Sequence, residues 1–409
     1  MKTISKLKIA AVALIAFTFF SACREDSEDK FNPNDMNYIT FEQQFDIVYN
    51  GILYSYAAWD IDTANIIGRH DYWRAQAVEL DKKDSVSNES LEKIYKNMYG
   101  TLLDHHMLIM VMNLKPGPSD LEYPKVYVRP GDIEVKSRED YERPMISRSV
   151  ITSIIDNLDK SGRISRMETY KGVDIHLISC LIDNNILYLR LSDFSLFTPD
   201  GIGAEEKRAE VKRVMDNYCD IISTKADLKG VIIDLRNNGG GYIHDLFTVL
   251  GTLTDSERLL CSSRTKNGTG MYDYNPFVRT YMVPAEKHIL NKDAKIVGLC
   301  NMGSVSCAEV STSFIKELPN GHIIGTRTYG GTCALDGIYD SDYAGTFGSY
   351  ENGTHFVYLP NLVNLFGEDM KLYEGIGVPP DEVVRFDYDT YKNSKEDNQL
   401  NAAIEYIRK

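Results

Sequence analysis

The chain has 409 residues, 43% of them hydrophobic and 25% charged, with a formal net charge of −14 at pH 7. That balance belongs to a globular protein, and the acidity argues against a nucleic-acid partner, since phosphate binding needs clustered Lys and Arg. Beyond Cys23 the cysteines are Cys180, Cys219, Cys261, Cys300, Cys307 and Cys333. With no C-x-x-C spacing they argue against a zinc site or disulfide scaffold and leave at most an isolated, unassignable disulfide.

Residues 1–22 read as an export signal and stand outside the fold. Lys2, Lys6 and Lys8 make a basic start, and the apolar run "IAAVALIAFTFF" is too short to span a bilayer comfortably. The following "FSAC" resembles a bacterial lipoprotein signal, which implies cleavage before Cys23 and a lipid on its thiol. An ordinary signal peptide with an incidental cysteine is the plainer alternative. Residues 23–36, with "REDSEDKFNPND", are acidic and polar, the composition of a flexible tether. An acidic run there also resembles surface-export signals of some Bacteroidetes lipoproteins. The expectation is an exported lipoprotein of the outer membrane or cell envelope, on its periplasmic or surface face.

The remainder, roughly 370 residues, suits one large domain with a smaller partner. Residues 37–113 read as a helical cap. Phe41, Phe45, Val48, Ile52 and Tyr56 fall at helical spacing, a second helix is predicted over about 62–82, and a third runs from Leu91 through Leu102 with Ser87 and Asn88 as caps. "LLDHHMLIMVMN" then turns into an apolar run suited to a buried strand.

Residues 114–409 form the second unit, with a β-rich entry. "YPKVYVRPGDIEV" and "GVDIHLISCLIDNNILYLRLSDF" alternate or run apolar between turn residues, as strands do. "RPGDIEV" suggests a peptide-binding PDZ module, but too few residues precede it to supply that module's earlier strands and carboxylate loop. Beyond residue 200 the pattern is α/β: a helix at about 204–224, the strand "GVIIDLRNN", the helix "HDLFTVLGTL", the strand "KIVGLCN", the helix "AEVSTSFIKEL" and the strand "GHIIGTRT". Such alternation implies a mostly parallel sheet with crossover helices.

Chemistry concentrates in two stretches. Ser306 lies where the strand before it gives way to a helix, beside unpaired N–H groups and the positive end of the helix dipole. The Cys307 N–H there suits an oxyanion. Ser306 and Glu309 also spell S-x-x-E, a capping box with no catalytic meaning. "GVIIDLRNNGGGY" supplies a polar, glycine-rich strand exit, the kind of place where α/β proteins bind ligands.

Together and in this order, the two stretches resemble the carboxyl-terminal processing protease family, including its tricorn branch. The resemblance covers roughly residues 95 to 385 and implies a crotonase-like α/β core of ββα units behind an N-terminal helical domain and a β-rich linking segment. Ser306 matches the nucleophile, Cys307 the following oxyanion donor, and Gly240 the glycine donor, with Gly241 second. Where lysine-type members carry F-G-K-G this chain has "YGGT", so Gly331 stands at the lysine position and a Ser–Lys dyad is excluded. Lys316 lies ten residues along the helix, about 15 Å away by helical rise. The tricorn-like pattern L-x-(S/G)-H matches "LLDHH" and implies His106 as the base, whose free pKa near 6.5 suits the task. Burial on an apolar helix face is its alternative reading. His105 replaces the serine that precedes this histidine in tricorn-type enzymes, and could itself be the base. "EGIGVPPD" resembles the family's E-N-x-G-V-x-P-D and carries over Glu374 as the group orienting the imidazole.

The sequence thus implies a serine endopeptidase acting on peptides or unfolded proteins, with no metal or cofactor and no assigned oligomeric state. The alternative is a catalytically silent peptide-binding lipoprotein that keeps the cleft.

Overall fold

In the computed structural model the described residues are 40–115, 125–141, 146–159, 164–167, 177–196, 204–287, 289–334, 345–350 and 353–409. The export signal, Cys23 and the acidic tether lie outside them. Three helices open the fold: α1 (Phe41–Ser55), α2 (Ile66–Asp81) and α3 (Asn88–Tyr99). Each begins at a polar cap, Thr40, Asn65 and Ser87, whose side chain accepts an N–H of the first turn. Phe41, Phe45, Val48 and Ile52 are buried along one face of α1, as their spacing predicts.

Strand β1 (Leu108–Met112) follows, then β2 (Lys125–Val128), α4 (Pro130–Ser137) and α5 (Arg148–Asp159). Neither helix is expected from the sequence. "RPGDIEV" alternates like a strand, yet Pro130 takes the first turn of α4, where its missing N–H costs nothing. Next come β3 (Ile164–Met167), β4 (Leu177–Ile182), β5 (Ile186–Leu191), α6 (Ala204–Thr224), β6 (Gly230–Asp234) and α7 (Ile243–Leu250). A long hairpin, β7 (Arg258–Thr265) and β8 (Val278–Met282), precedes β9 (Lys295–Cys300), α8 (Cys307–Glu317) and β10 (Gly321–Gly325). The chain closes with β11 (Phe347–Gly348), β12 (His355–Tyr358), β13 (Leu362–Leu365), β14 (Glu382–Val383), α9 (Tyr388–Ser394) and α10 (Asn398–Arg408).

A seven-stranded sheet in the order β14-β10-β9-β6-β5-β4-β3 forms the centre. From β5 to β14 every pairing is parallel, while β3, β4 and β5 pair antiparallel. The sheet is mostly parallel, as expected, and antiparallel at one end, where β4 and β5 form a tight hairpin through Asp183 and Asn184, both at positive φ. One core joins β5, β6 and β9 to α6, α7 and α8, and Leu400, Ala403 and Ile407 of α10 help form another against Ile232, Val297, Leu299 and Ile324.

A second sheet, β11-β12-β1-β2, sews the front of the chain to its back, with Leu108 opposite Tyr358 and Val111 opposite His355. The core beneath it mixes Phe45, Ile52 and Met98 with Cys333, Phe347, Val357 and Val363. Residues on both sides of position 113 thus share one core. The third sheet is β13-β7-β8. Among the described residues no helix is long and apolar enough to cross a membrane, and no two cysteines are joined by a disulfide.

Candidate active site

Ser306 stands at the N-cap of α8 with φ 60° and ψ −122°. An ordinary capping serine holds extended backbone, as Ser87 does at φ −74° and ψ 148°. A non-glycine residue at positive φ stores strain, which persists only where the surroundings enforce it. Here they do. The Ser306 N–H donates to Gly331 O at 3.0 Å and to Glu309 Oε2 at 3.2 Å, and the Val305 N–H donates to Asn238 O at 2.9 Å.

Glu309 reaches well beyond its own helix end. Fully buried, it accepts from Gly330 N and Gly331 N, each at 2.7 Å, and from Thr328 Oγ1 at 2.6 Å. Its carboxylate therefore ties the serine backbone to the 328–331 loop. Burial pushes its pKa up to about 7, while the donors around it pull the other way. The S-x-x-E spacing pointed to Glu309, but only as a cap.

The glycine turn is laced to the serine turn. Ser304 Oγ donates to Leu235 O at 2.8 Å, and Asn237 and Asn301 exchange hydrogen bonds at 2.9 and 3.0 Å. Gly240 packs so close that a Cβ on it would lie 2.5 Å from Ser306 Cβ and 3.0 Å from Oγ. Its N–H, however, is donated to Asn238 Oδ1 at 2.8 Å. Among the described residues the Gly241 and Cys307 N–H groups donate to nothing. Of the two glycines the sequence offered as donors, Gly240 before Gly241, the first has its amide taken by Asn238. Cys307 Sγ donates to Gly241 O at 3.1 Å, a contact between the two residues that carry the free amides. Burial pushes that thiol up to about 12, so it stays protonated and is no thiolate nucleophile.

The two histidines part company. The ring of His106 lies against Gly331, since a Cβ on Gly331 would sit 3.4 Å from both Cε1 and Nδ1 of His106 and 3.1 Å from Val305 Cγ1. Gly331 is the same residue whose carbonyl holds the Ser306 N–H, so serine and imidazole flank one glycine. A lysine at 331 would need the space that this imidazole fills. The His106 Nδ1 is buried without a hydrogen-bond partner, and burial lowers its pKa to about 4, with the Cys333 backbone alone opposing that shift.

His105 turns the other way. Its Nδ1 lies 3.0 Å from Tyr329 O, its Nε2 lies 3.4 Å from Glu134 Oε2, and its ring stands edge-on to Tyr329. Burial lowers its pKa to about 4 as well. Among the described residues no hydrogen bond or ion pair joins it to Ser306.

Glu374 is fully buried, but its oxygens take main-chain donors: His105 N at 2.6 Å, Thr332 N and Cys333 N, together with Thr332 Oγ1 at 3.2 Å. Its bonds hold the backbone of the histidine segment against 332–333 and do not reach an imidazole. Burial raises its pKa to about 7. Asp104, missed in the sequence, accepts from His106 N at 2.9 Å and Met107 N at 3.0 Å and sets the turn that presents both histidines. Lys316 pairs with Asp381, away from the serine. No cluster of metal-ligating groups exists among the described residues.

Residues 185–384 match the model of peptidase family S41. A carboxy-terminal-processing protease of Bartonella bacilliformis is 25% identical over 231 residues, 54% of this chain and 46% of that protein. The carboxy-terminal processing protease CtpA of Bacillus subtilis is 28% identical over 159 residues, 39% of this chain and 29% of that protein. The chain thus spans less than half the length of either relative. A crystal structure of a candidate peptidase from Parabacteroides merdae superposes with a TM-score of 0.60 at 18% identity, covering 90% of this chain and 96% of that one, and shows a shared fold.

Proposed function

We propose, from the match of residues 185–384 to the peptidase family S41 model, that this chain is a serine endopeptidase with Ser306 as nucleophile and His106 as base. Ser306 Oγ attacks the peptide carbonyl carbon while the His106 imidazole takes the hydroxyl proton. The Gly241 and Cys307 N–H groups receive the oxyanion, and collapse of the adduct returns the proton to the leaving amine. Water then releases the acyl group by the same route. Glu374 serves by holding the His105 N–H, and so the segment that carries the base. Peptides or unfolded proteins are the substrates in this reading.

The strained backbone of Ser306 carries the proposal, because a cap needs no such conformation and a nucleophile held beside free amides at a strand–helix turn does. A fluorophosphonate probe is expected to label the wild-type protein and not Ser306→Ala, with His106→Ala labelling at least about 100-fold more slowly. Equal labelling of all three ends the reading. The peptide-binding alternative draws on one observation, that His106 has no carboxylate partner. It predicts peptide affinity unchanged by Ser306→Ala and no turnover.

The same reading places the protein in the cell envelope, acylated at Cys23, on the support of "FSAC". Metabolic labelling with an alkyne fatty acid should mark the wild-type chain in the membrane fraction. Cys23→Ser should lose both the label and that location.

A further inference from the structure

Residues 130–140 cross the base side of the site and meet it through charged groups. Asp132 Oδ1 accepts from Tyr329 OH at 2.5 Å, and Asp140 Oδ2 accepts from Arg327 Nε at 3.0 Å. Between them stands Arg138, its side chain only 7% exposed. Its Nη2 donates to Tyr329 O at 2.8 Å and Gly375 O at 3.4 Å, its Nη1 to Thr328 O at 3.2 Å, and its Nε to Glu134 Oε2 at 2.8 Å.

One planar cation thereby spans both loops that build the base side. The first, at 328–329, runs directly into Gly330 and Gly331, against which the His105 and His106 rings pack. The second carries Glu374 next to Gly375. Arg138 also shares the Tyr329 carbonyl with His105. Tyr329 O can only accept, so His105 Nδ1 carries the hydrogen in that bond and Nε2 is left facing Glu134, the carboxylate that Arg138 holds. An exposed i,i+4 pair on a helix would be worth little, but a buried fork on three carbonyls and a carboxylate is a different object.

We infer that Arg138 is a positioning residue for the reaction, holding the His105–His106 segment and the 328–331 loop in register with Ser306. This rests on the peptidase reading above. The function follows from geometry: a ring on His106 is useful only where the loop behind it stays still, and a displacement of about 1 Å can cost about 100-fold in rate. Lysine cannot replace the arginine, since a single ammonium lacks the planar fork that reaches both loops at once.

The test compares wild type, Arg138→Ala and Arg138→Lys in the full chain. Fluorophosphonate labelling of Arg138→Ala is expected to slow by about 10-fold to 100-fold, with Tm moving by only a few degrees. Ethylguanidinium added at millimolar concentration should restore the rate severalfold and ethylammonium should not, while Arg138→Lys stays slow. The inference is overturned if Arg138→Ala labels like wild type, if the ammonium rescues as well as the guanidinium, or if the loss simply follows Tm without rescue. A second measurement does not depend on catalysis. In 15N-histidine spectra the wild-type protein should show His105 as the Nδ1–H tautomer, and Arg138→Ala should shift or broaden that signal. An unchanged signal overturns the role of Arg138 even where the probe labels nothing, an outcome that would separately end the peptidase reading.

Discussion

Ser306 and His106 show how far a single residue's environment changes its chemistry. A serine three residues before Glu309 reads locally as a helix cap first and a nucleophile second, and its backbone angle of 60° is not that of an ordinary cap. For His106, burial is the main influence on its charge, lowering its pKa to about 4. A base must be neutral to take a proton, and a lowered pKa keeps it neutral further into acid. The rate of fluorophosphonate labelling should therefore stay level from pH 8 to about pH 5 and reach half its plateau near pH 4. A half-point near 6.5, the free imidazole value, would show that His106 is solvated or is not the base. Glu309 was visible in the sequence but undervalued, since nothing local says that its oxygens cross to Gly330 and Gly331.

At the scale of elements, the glycine turn and the serine turn act as one unit. Gly240 adopts φ +94°, and any side chain there meets Ser306. Gly240→Ala should abolish probe labelling while the far-ultraviolet circular dichroism stays native, because the clash falls on the nucleophile and the turn lies outside helix and strand. Labelling at the wild-type rate would mean that the turn lies further from Ser306 than described. The strand–helix alternation after residue 200 was legible because its apolar periods are long and its strands buried. Helix α4 was not, because eight residues with a leading proline carry too little period to tell a helix from a strand, and docking on Tyr329 and His105 decides the matter.

Over the whole molecule, the C-terminal helix is coupled to the site through buried charge. Arg236, fully buried, bridges Asp234 to Asp397, with Arg236 Nη2 at 2.8 Å from Asp397 Oδ2, and Gln399 takes a further bond at 3.0 Å. Arg236 immediately precedes Asn237, where the glycine turn begins. Removing one partner of a buried pair leaves an uncompensated charge, so Asp397→Ala should lower stability by about 3 kcal/mol or more, read from urea denaturation. A change within about 0.5 kcal/mol would mean that Asp234 alone satisfies the guanidinium.

Taken by itself, the sequence determined the mostly parallel core, the two turns at strand exits and the place of Ser306 at a strand–helix junction, because period, glycine and such a junction are local properties of the chain. It also excluded a lysine base, since Gly331 has no side chain to offer. Only the tertiary structure put the ring of His106 against Gly331 and that of His105 against Gly330, took up the Gly240 amide with Asn238, and gave Glu374 to main-chain donors. The physical reason is that these are questions of what a group touches across the chain. Pairing of β1 with β12 brings residues some 250 positions apart into one sheet, and no local pattern records which side of a loop an imidazole will face.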